Sequence, residues 1–202
     1  MTAPSPLPPR SPRVRAKRAR RRAEILRAAL SAFRERGYHA TTLEHIAAQL
    51  GIRNTALYHY FPDKEGILYA CHQESLAQVE RILQDAAACL SPAAGLRHAI
   101  HEHVLVMTDT LAGSPLAFEV TALTPDHEAE VIRRRDAYER GLRRLVVEGI
   151  HRGEFRRGDP KLTVFAILGA INWVARWYQP DGAEPGTAIA TQFAAQLIEG
   201  LT

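Results

Sequence analysis

The sequence predicts an all-α chain of about nine helices, a compact three-helix unit followed by a longer helical region. Two observations predict this class. Apolar residues recur at i, i+3, i+4 and i+7 along most of the chain, without strand-like alternation. Glycine and proline fall between those periodic stretches, where helices must stop. A third observation concerns the stretch RNTALYHYFPDK, Arg53 to Lys64, which sets Tyr58, His59, Tyr60 and Phe61 in a row and stops on Pro62. Four consecutive rings cannot all face one core, so some of them must serve a surface.

Taken in order, residues 1–20 are expected to form a disordered basic arm, its first dozen positions rich in proline and serine. Ile25, Ala28, Ala29, Ala32 and Phe33 make the stripe of a first helix, and Gly37 follows as its stop. Thr42 can cap a second helix with the apolar face Leu43, Ile46, Ala47 and Leu50, ended by Gly51. After a tight connection at Ile52, a short helix carries Ala56, Leu57, Tyr60 and Phe61 until Pro62 closes it. Asp63 can cap a long helix to about Leu90, with Ile67, Leu68, Cys71, Leu76, Val79 and Leu83 as core candidates. Ser91-Pro92, Pro115 and Pro125 mark later breaks. Glu128 to about Arg152 reads as one charged helix, and Asp159-Pro160 opens an apolar helix running to Tyr178. A loop holding Pro180, Gly182, Pro185 and Gly186 leads to a last helix through Gly200. The domain boundaries follow: an arm over 1–20, a three-helix unit over 21–66 and a second domain over 67–202.

The 202 residues are 46% hydrophobic, enough for a sizeable core. Cys71 and Cys89 are 18 residues apart on one helical pattern, about 27 Å, too far for a disulfide. A reducing cytoplasm is expected. There is no apolar stretch of signal-peptide type at the start, and the uncharged run Leu162 to Ala175, which no other exceeds, has 14 residues against the roughly 20 that span a bilayer. The net charge of +4 is unevenly spread. Residues 1–22 carry eight basic side chains and no acid, residues 23–66 five of each sign, and residues 67–202 13 basic against 17 acidic. A basic block beside an aromatic cluster is a footprint of nucleic-acid binding; a solubilising tail is the alternative.

A helix ending in glycine, a turn of about three residues and a short helix form the helix-turn-helix pattern. In such pairs the second helix enters the major groove and the first crosses the backbone. Leu57, Tyr60 and Phe61 then make the buried face, and Tyr58 and His59 point outward, where they can meet phosphate oxygens or base edges.

Residues 22–68, RRAEILRAALSAFRERGYHATTLEHIAAQLGIRNTALYHYFPDKEGIL, resemble the DNA-binding domain of the TetR family of bacterial transcriptional repressors. The likeness rests on the Ile25–Phe33 helix, Gly37-Tyr38, Thr42-Leu43, Ile46-Ala47, Gly51-Ile52, the Leu57–Phe61 run and Lys64. It implies that Thr42 contacts phosphate and that Arg53, Asn54 and Thr55 open the helix that reads bases. It further implies that Tyr58 and His59 are contact positions on that helix's outer face and that Lys64 touches the DNA backbone. Two positions depart from the family: Arg53 stands where serine is frequent and Thr55 where glycine is frequent. Arg53 cannot cap with an oxygen. It can grip guanine in a bidentate contact worth about 1–3 kcal/mol of discrimination, or touch phosphate only. The arm, with Arg15, Lys17 and Arg18, fits the minor groove or the backbone.

The resemblance implies that residues 67–202 bind an effector and dimerise through the last two helices, which requires a palindromic operator with half-sites about 34 Å apart. Independently, Leu162, Val164, Phe165, Ile167, Leu168, Ile171, Trp173, Val174 and Trp177 cover more than one face of their helix, so it is expected to be buried on several sides. ILGAINWVARWYQPDG, Ile167 to Gly182, resembles a TetR branch that includes regulators of fatty-acid and steroid catabolism, which respond to acyl-CoA thioesters. By that likeness Asn172, Trp173, Arg176 and Trp177 are pocket candidates, with Met107, Phe118 and Tyr138 to complete an apolar lining. Arg176 can instead close a salt bridge at the dimer edge, and the two tryptophans can be core or interface.

The implied function is a ligand-responsive repressor acting in a bacterial cytoplasm at the nucleoid, with DNA, a second copy and a small hydrophobic or acyl-CoA-like effector as partners. A constitutive DNA-binding protein and a repressor sensing a non-CoA hydrophobic compound are the alternatives. No membrane partner or cofactor is expected. The sequence has no Gly-rich phosphate loop, no GxSxG and no plausible triad, which argues against an enzyme. His98, His101, Glu102 and His103 lack the spacing of a metal motif. The run Arg133-Arg134-Arg135 is balanced by nearby acids and reads as a solvated helix face, with CoA phosphates as the other use.

Overall fold

In a computed structural model, residues 12–109 and 120–202 are described. They form eight α-helices and one 3-10 turn, without a strand. The helices are α1 (Pro12–Arg36), α2 (Leu43–Gln49), α3 (Asn54–Leu57), α4 (Lys64–Ala87), α5 (Pro92–Thr108), α6 (Pro125–His151), α7 (Pro160–Trp177) and α8 (Gly186–Glu199). The turn, Val120–Ala122, precedes α6.

The helix starts follow the capping chemistry. Thr42 accepts from the His45 amide at 3.3 Å, and His45 Nδ1 accepts the Thr42 amide at 3.2 Å, so histidine completes a capping box usually closed by Glu or Gln. Asp63, Ser91 and Asp159 cap α4, α5 and α7 through their side-chain oxygens. Proline stands in the first turn of α5, α6 and α7, where a missing N–H costs nothing. Gly51 ends α2 at φ +62, a conformation that a side chain would strain.

Two elements differ from the sequence expectation. The first helix begins at Pro12, so Arg15, Lys17 and Arg18 sit on helical turns and not in a disordered arm. Alanines among the arginines supply helix propensity there, and a contact from Arg18 to the His59 carbonyl in the turn after α3 holds the turns. α3 ends at Leu57, and Tyr58–Tyr60 continue as a turn.

α1, α2 and α3 close around Ile25, Ala29, Phe33, Ile46, Leu57 and Phe61. α4 leaves this head and packs on α5 and α6. α5 lies at the centre of the second domain, against α4, α6, α7 and α8. α4 and α6 approach so closely that a Cβ on Gly141 would stand 2.2 Å from Leu83 Cδ2. α7 buries Val164, Ile167, Ile171 and Val174. Its opposite face leaves Leu162, Phe165, Trp173 and Trp177 between 44% and 64% exposed, so among the described residues it is covered on one side only.

Candidate functional site

The outer edge of the head is built from α3 and the turn after it. Leu57 and Phe61 are buried, and Tyr60 is half-buried. Tyr58 is 54% exposed, and His59 is exposed beside it. Arg53 occupies the N-cap of α3, extended, exposed and without a capping hydrogen bond, and Thr55 is exposed in the first turn. Asn54 is committed elsewhere: its Nδ2 donates to Glu44 Oε1 at 2.5 Å, and its Oδ1 is buried. That contact ties α2 to α3 and leaves Asn54 poorly placed to read a base. Thr42 is exposed at the start of α2; its oxygen caps the helix, and its hydroxyl donates to the Glu44 carboxyl, which its own backbone N–H and this bond help to hold below its ordinary value.

α1 supplies a basic wall beside this edge. Arg18 Nη2 donates to the His59 carbonyl at 3.3 Å, and its guanidinium lies 5.7 Å from the Tyr60 ring centre. Arg22 lies 4.9 Å from the Phe61 ring centre. Val14, Lys17, Arg18 and Arg21 face Ile52, Ala56, His59 and Tyr60 across a groove of about 600 Å³. Arg15 is exposed on the same helix.

Lys64 does not point where the resemblance puts it. Its Nζ donates to the carbonyls of Tyr38 (2.7 Å), Thr41 (2.8 Å) and His39 (3.3 Å), and sits 4.3 Å from the Tyr38 ring centre. All three ammonium protons are used inside the head, and burial lowers the pKa of the group. Lys64 staples the α1–α2 loop to the start of α4.

The pocket candidates scatter. Met107, Arg176 and Trp177 share a cleft of about 550 Å³ with Arg34, Thr108 and Tyr178, at the boundary between head and second domain. Trp173 projects from the exposed face of α7, and half-buried Asn172 lies outside the cleft. Tyr138 is buried in the interior, its hydroxyl 3.2 Å from His103 Nδ1. Phe118 lies outside the described residues. Among the described residues no group of three or more His, Cys, Asp or Glu can hold a metal ion; His101 pairs with Glu102 at 2.9 Å, and His103 turns inward to Tyr138.

The arginine run is not a uniformly solvated face. Arg133 is exposed, but Arg134 grips both oxygens of Glu80 at 2.6 and 2.8 Å and also donates to Gln73. Arg135 is half-buried, with Nη2 3.4 Å from His72 Nδ1. Sequence reasoning missed this because the acids weighed against the run lay on its own helix. Arg134 meets Glu80 54 positions away, on α4. The same seam holds Glu65, whose Oε1 accepts the Thr124 amide at 3.0 Å and lies 2.8 Å from His127 Nδ1. The His127 ring stacks on Tyr69 at 3.6 Å, and the Tyr69 hydroxyl donates to Glu130 at 2.6 Å. That bond holds the Glu130 carboxyl below its ordinary value and pushes the Tyr69 phenol up.

His72 and His103 are the buried histidines of the second domain, at 2% and 5% exposure. Burial pushes each ring down to about 4, with the Arg135 charge adding to the effect at His72. Both are therefore neutral near pH 7. No helix among the described residues is long and apolar enough to cross a membrane.

Two family descriptions match. Residues 25–71 match bacterial regulatory proteins of the tetR family, and residues 89–201 match the tetracyclin repressor-like C-terminal domain. The chain is 27% identical to the HTH-type transcriptional repressor KstR2 of Mycolicibacterium smegmatis, over 91% of this chain and 92% of that protein. It is 28% identical to the fatty acid metabolism regulator protein of Bacillus subtilis, over 88% and 94%. Among solved structures, AibR in complex with isovaleryl coenzyme A and operator DNA superposes with a TM-score of 0.76 at 25% identity, covering 90% of this chain and 97% of that one.

Proposed function

The chain belongs to the tetR family of bacterial transcriptional regulators, and from that premise we propose that it is a dimeric repressor released from a palindromic operator by an acyl-CoA thioester. One observation carries the DNA half of this reading. Arg53, Thr55, Tyr58 and His59 form an exposed edge flanked by the basic wall of α1. Arg53 and Thr55 are our base-reading candidates, and Tyr58, His59 and Thr42 our phosphate contacts. Arg15, Lys17 and Arg18 add charge along the backbone, so affinity falls by about 0.9 log units per tenfold rise in salt for each phosphate neutralised.

The exposed stripe of Leu162, Phe165, Trp173 and Trp177 on α7 supports a second copy as its cover, together with α8. The effector class rests on the relatives, two of which regulate fatty-acid metabolism or bind isovaleryl coenzyme A by their names. The cleft of Met107, Arg176 and Trp177 is our candidate entry for the charged end of such a ligand. Coupling then passes through α4. Lys64 holds the head and the adjacent Glu65 holds the start of α6, so a shift of α6 against α4 moves the head. A ligand acts by binding the non-DNA conformation better.

The test is a titration of the protein against duplex DNA from upstream of its own gene, with and without acyl-CoA thioesters of graded chain length. Release by one thioester is the expected result. Binding that no thioester releases points to a constitutive DNA-binding protein or to a non-CoA effector, and removes the thioester from the reading.

A further inference from the structure

We propose that the second domain holds the acyl oxygen of its effector on the Nε2–H of His72, with the Arg135 guanidinium beside it. This rests on the effector-responsive reading above and adds the atom that recognises the ligand. His72 turns inward from α4 and is 2% exposed. The Arg135 Nη2 lies 3.4 Å from its Nδ1. A guanidinium can only donate, so Nδ1 is the acceptor in that pair. The ring is neutral near pH 7, so its single proton is on Nε2. That N–H is buried and meets no acceptor among the described residues.

Buried donors are nearly always paired, and an exception calls for a specific reason. The neighbouring polar pair shows the usual solution: His103 and Tyr138 satisfy each other at 3.2 Å. His72 has a donor held in one tautomer by a cation, and the group that completes it must be an acceptor. Positive charge beside the donor favours an oxygen of negative potential and repels a metal ion. One turn to either side on α4 stand Leu68 and Leu76, and one turn before Arg135 on α6 stands Val131, all buried. A single polar anchor among apolar side chains suits an acyl chain ending in a carbonyl oxygen. A free carboxylic acid and a CoA thioester both present that oxygen.

The experiment uses the full chain. Octanoate and octanoyl-CoA are titrated calorimetrically into wild type, His72→Leu and His72→Gln, and each protein is melted without ligand. Wild type is expected to bind one of the two, and which one binds separates the carboxylate from the thioester. His72→Leu is expected to bind that probe at least roughly tenfold more weakly, and His72→Gln, which keeps a side-chain N–H, to recover most of the loss. Without ligand, His72→Leu is expected to melt a few degrees higher than wild type, because it removes a buried unpaired donor. Equal affinity in His72→Leu overturns this proposal and leaves the effector reading standing. A lower melting temperature overturns it as well, since the donor was then paired in the free protein. If wild type binds neither probe, this proposal falls, while the effector reading is decided by the graded thioester titration above.

Discussion

The Arg53 guanidinium leaves the head from the N-cap of a four-residue helix, exposed and unused by the cap. Its freedom is what a bidentate grip on guanine requires. Arg53→Ala is expected to weaken binding to the operator by about 1–3 kcal/mol and to relax discrimination at one base pair per half-site. Titrations on operator variants with single changes check this; a uniform loss across all variants identifies a phosphate contact instead. The buried histidines give a second residue-level expectation. His72 and His103 have pKa values near 4 in the folded chain, below the ordinary 6.5. The unfolded chain therefore binds more protons between those values. Stability is complete above about pH 6.5 and falls as the pH drops toward 4, by on the order of 2–3 kcal/mol for each ring. Denaturant titrations between pH 4 and 7.5 should show that slope, and His103→Phe should flatten it.

At the scale of elements, α4 is the shared part of both domains. Lys64 spends its protons on the Tyr38, His39 and Thr41 carbonyls, and Glu65 accepts from Thr124 and faces His127. Adjacent positions on one helical turn thus face opposite domains. Glu65→Ala leaves the head and its DNA-facing edge intact but opens the seam to α6. We expect operator affinity within about threefold of wild type, with effector-driven release weakened at least fivefold. Release measured at saturating effector decides this; an equal loss of both functions places Glu65 in the folding of the head instead. Arg134, Gln73, Glu130 and Tyr69 continue the same seam toward the middle of α4.

At the scale of the whole molecule, one face of α7 is left open. Leu162 is 64% exposed, Trp173 61% and Phe165 50%, while the opposite face of the same helix is in the core. Such a stripe is costly to leave in water and typical of a surface that another subunit covers. Trp173→Glu is expected to yield a monomer in light scattering and to lose tight operator binding, because two half-sites must be held by one particle. A dimer that survives this change lies on another surface.

The sequence by itself determined what depends on near neighbours. Period, caps and breakers set the helices, and Gly51, Ile52 and the Leu57–Phe61 run identified the helix-turn-helix, because turn and cap chemistry act within a few residues. The outward direction of Tyr58 and His59 followed from the same spacing. A turn and not the helix carries both residues, so the expected direction was reached although the expected element ends at Leu57. Only the tertiary structure decided the partners of charged and polar groups. Lys64 looked like a DNA contact and is spent on three carbonyls 23 to 26 positions away. Asn54 is taken by Glu44, Arg134 by Glu80, and His72 lies against Arg135, 63 positions off. Trp173, a pocket candidate by resemblance, stands on the outer face of α7, while Tyr138 went inside. The physical reason is the same in each case. A polar side chain is fixed by whichever partner the packing of distant helices brings within about 3 Å, and that partner leaves no periodic trace in its own neighbourhood.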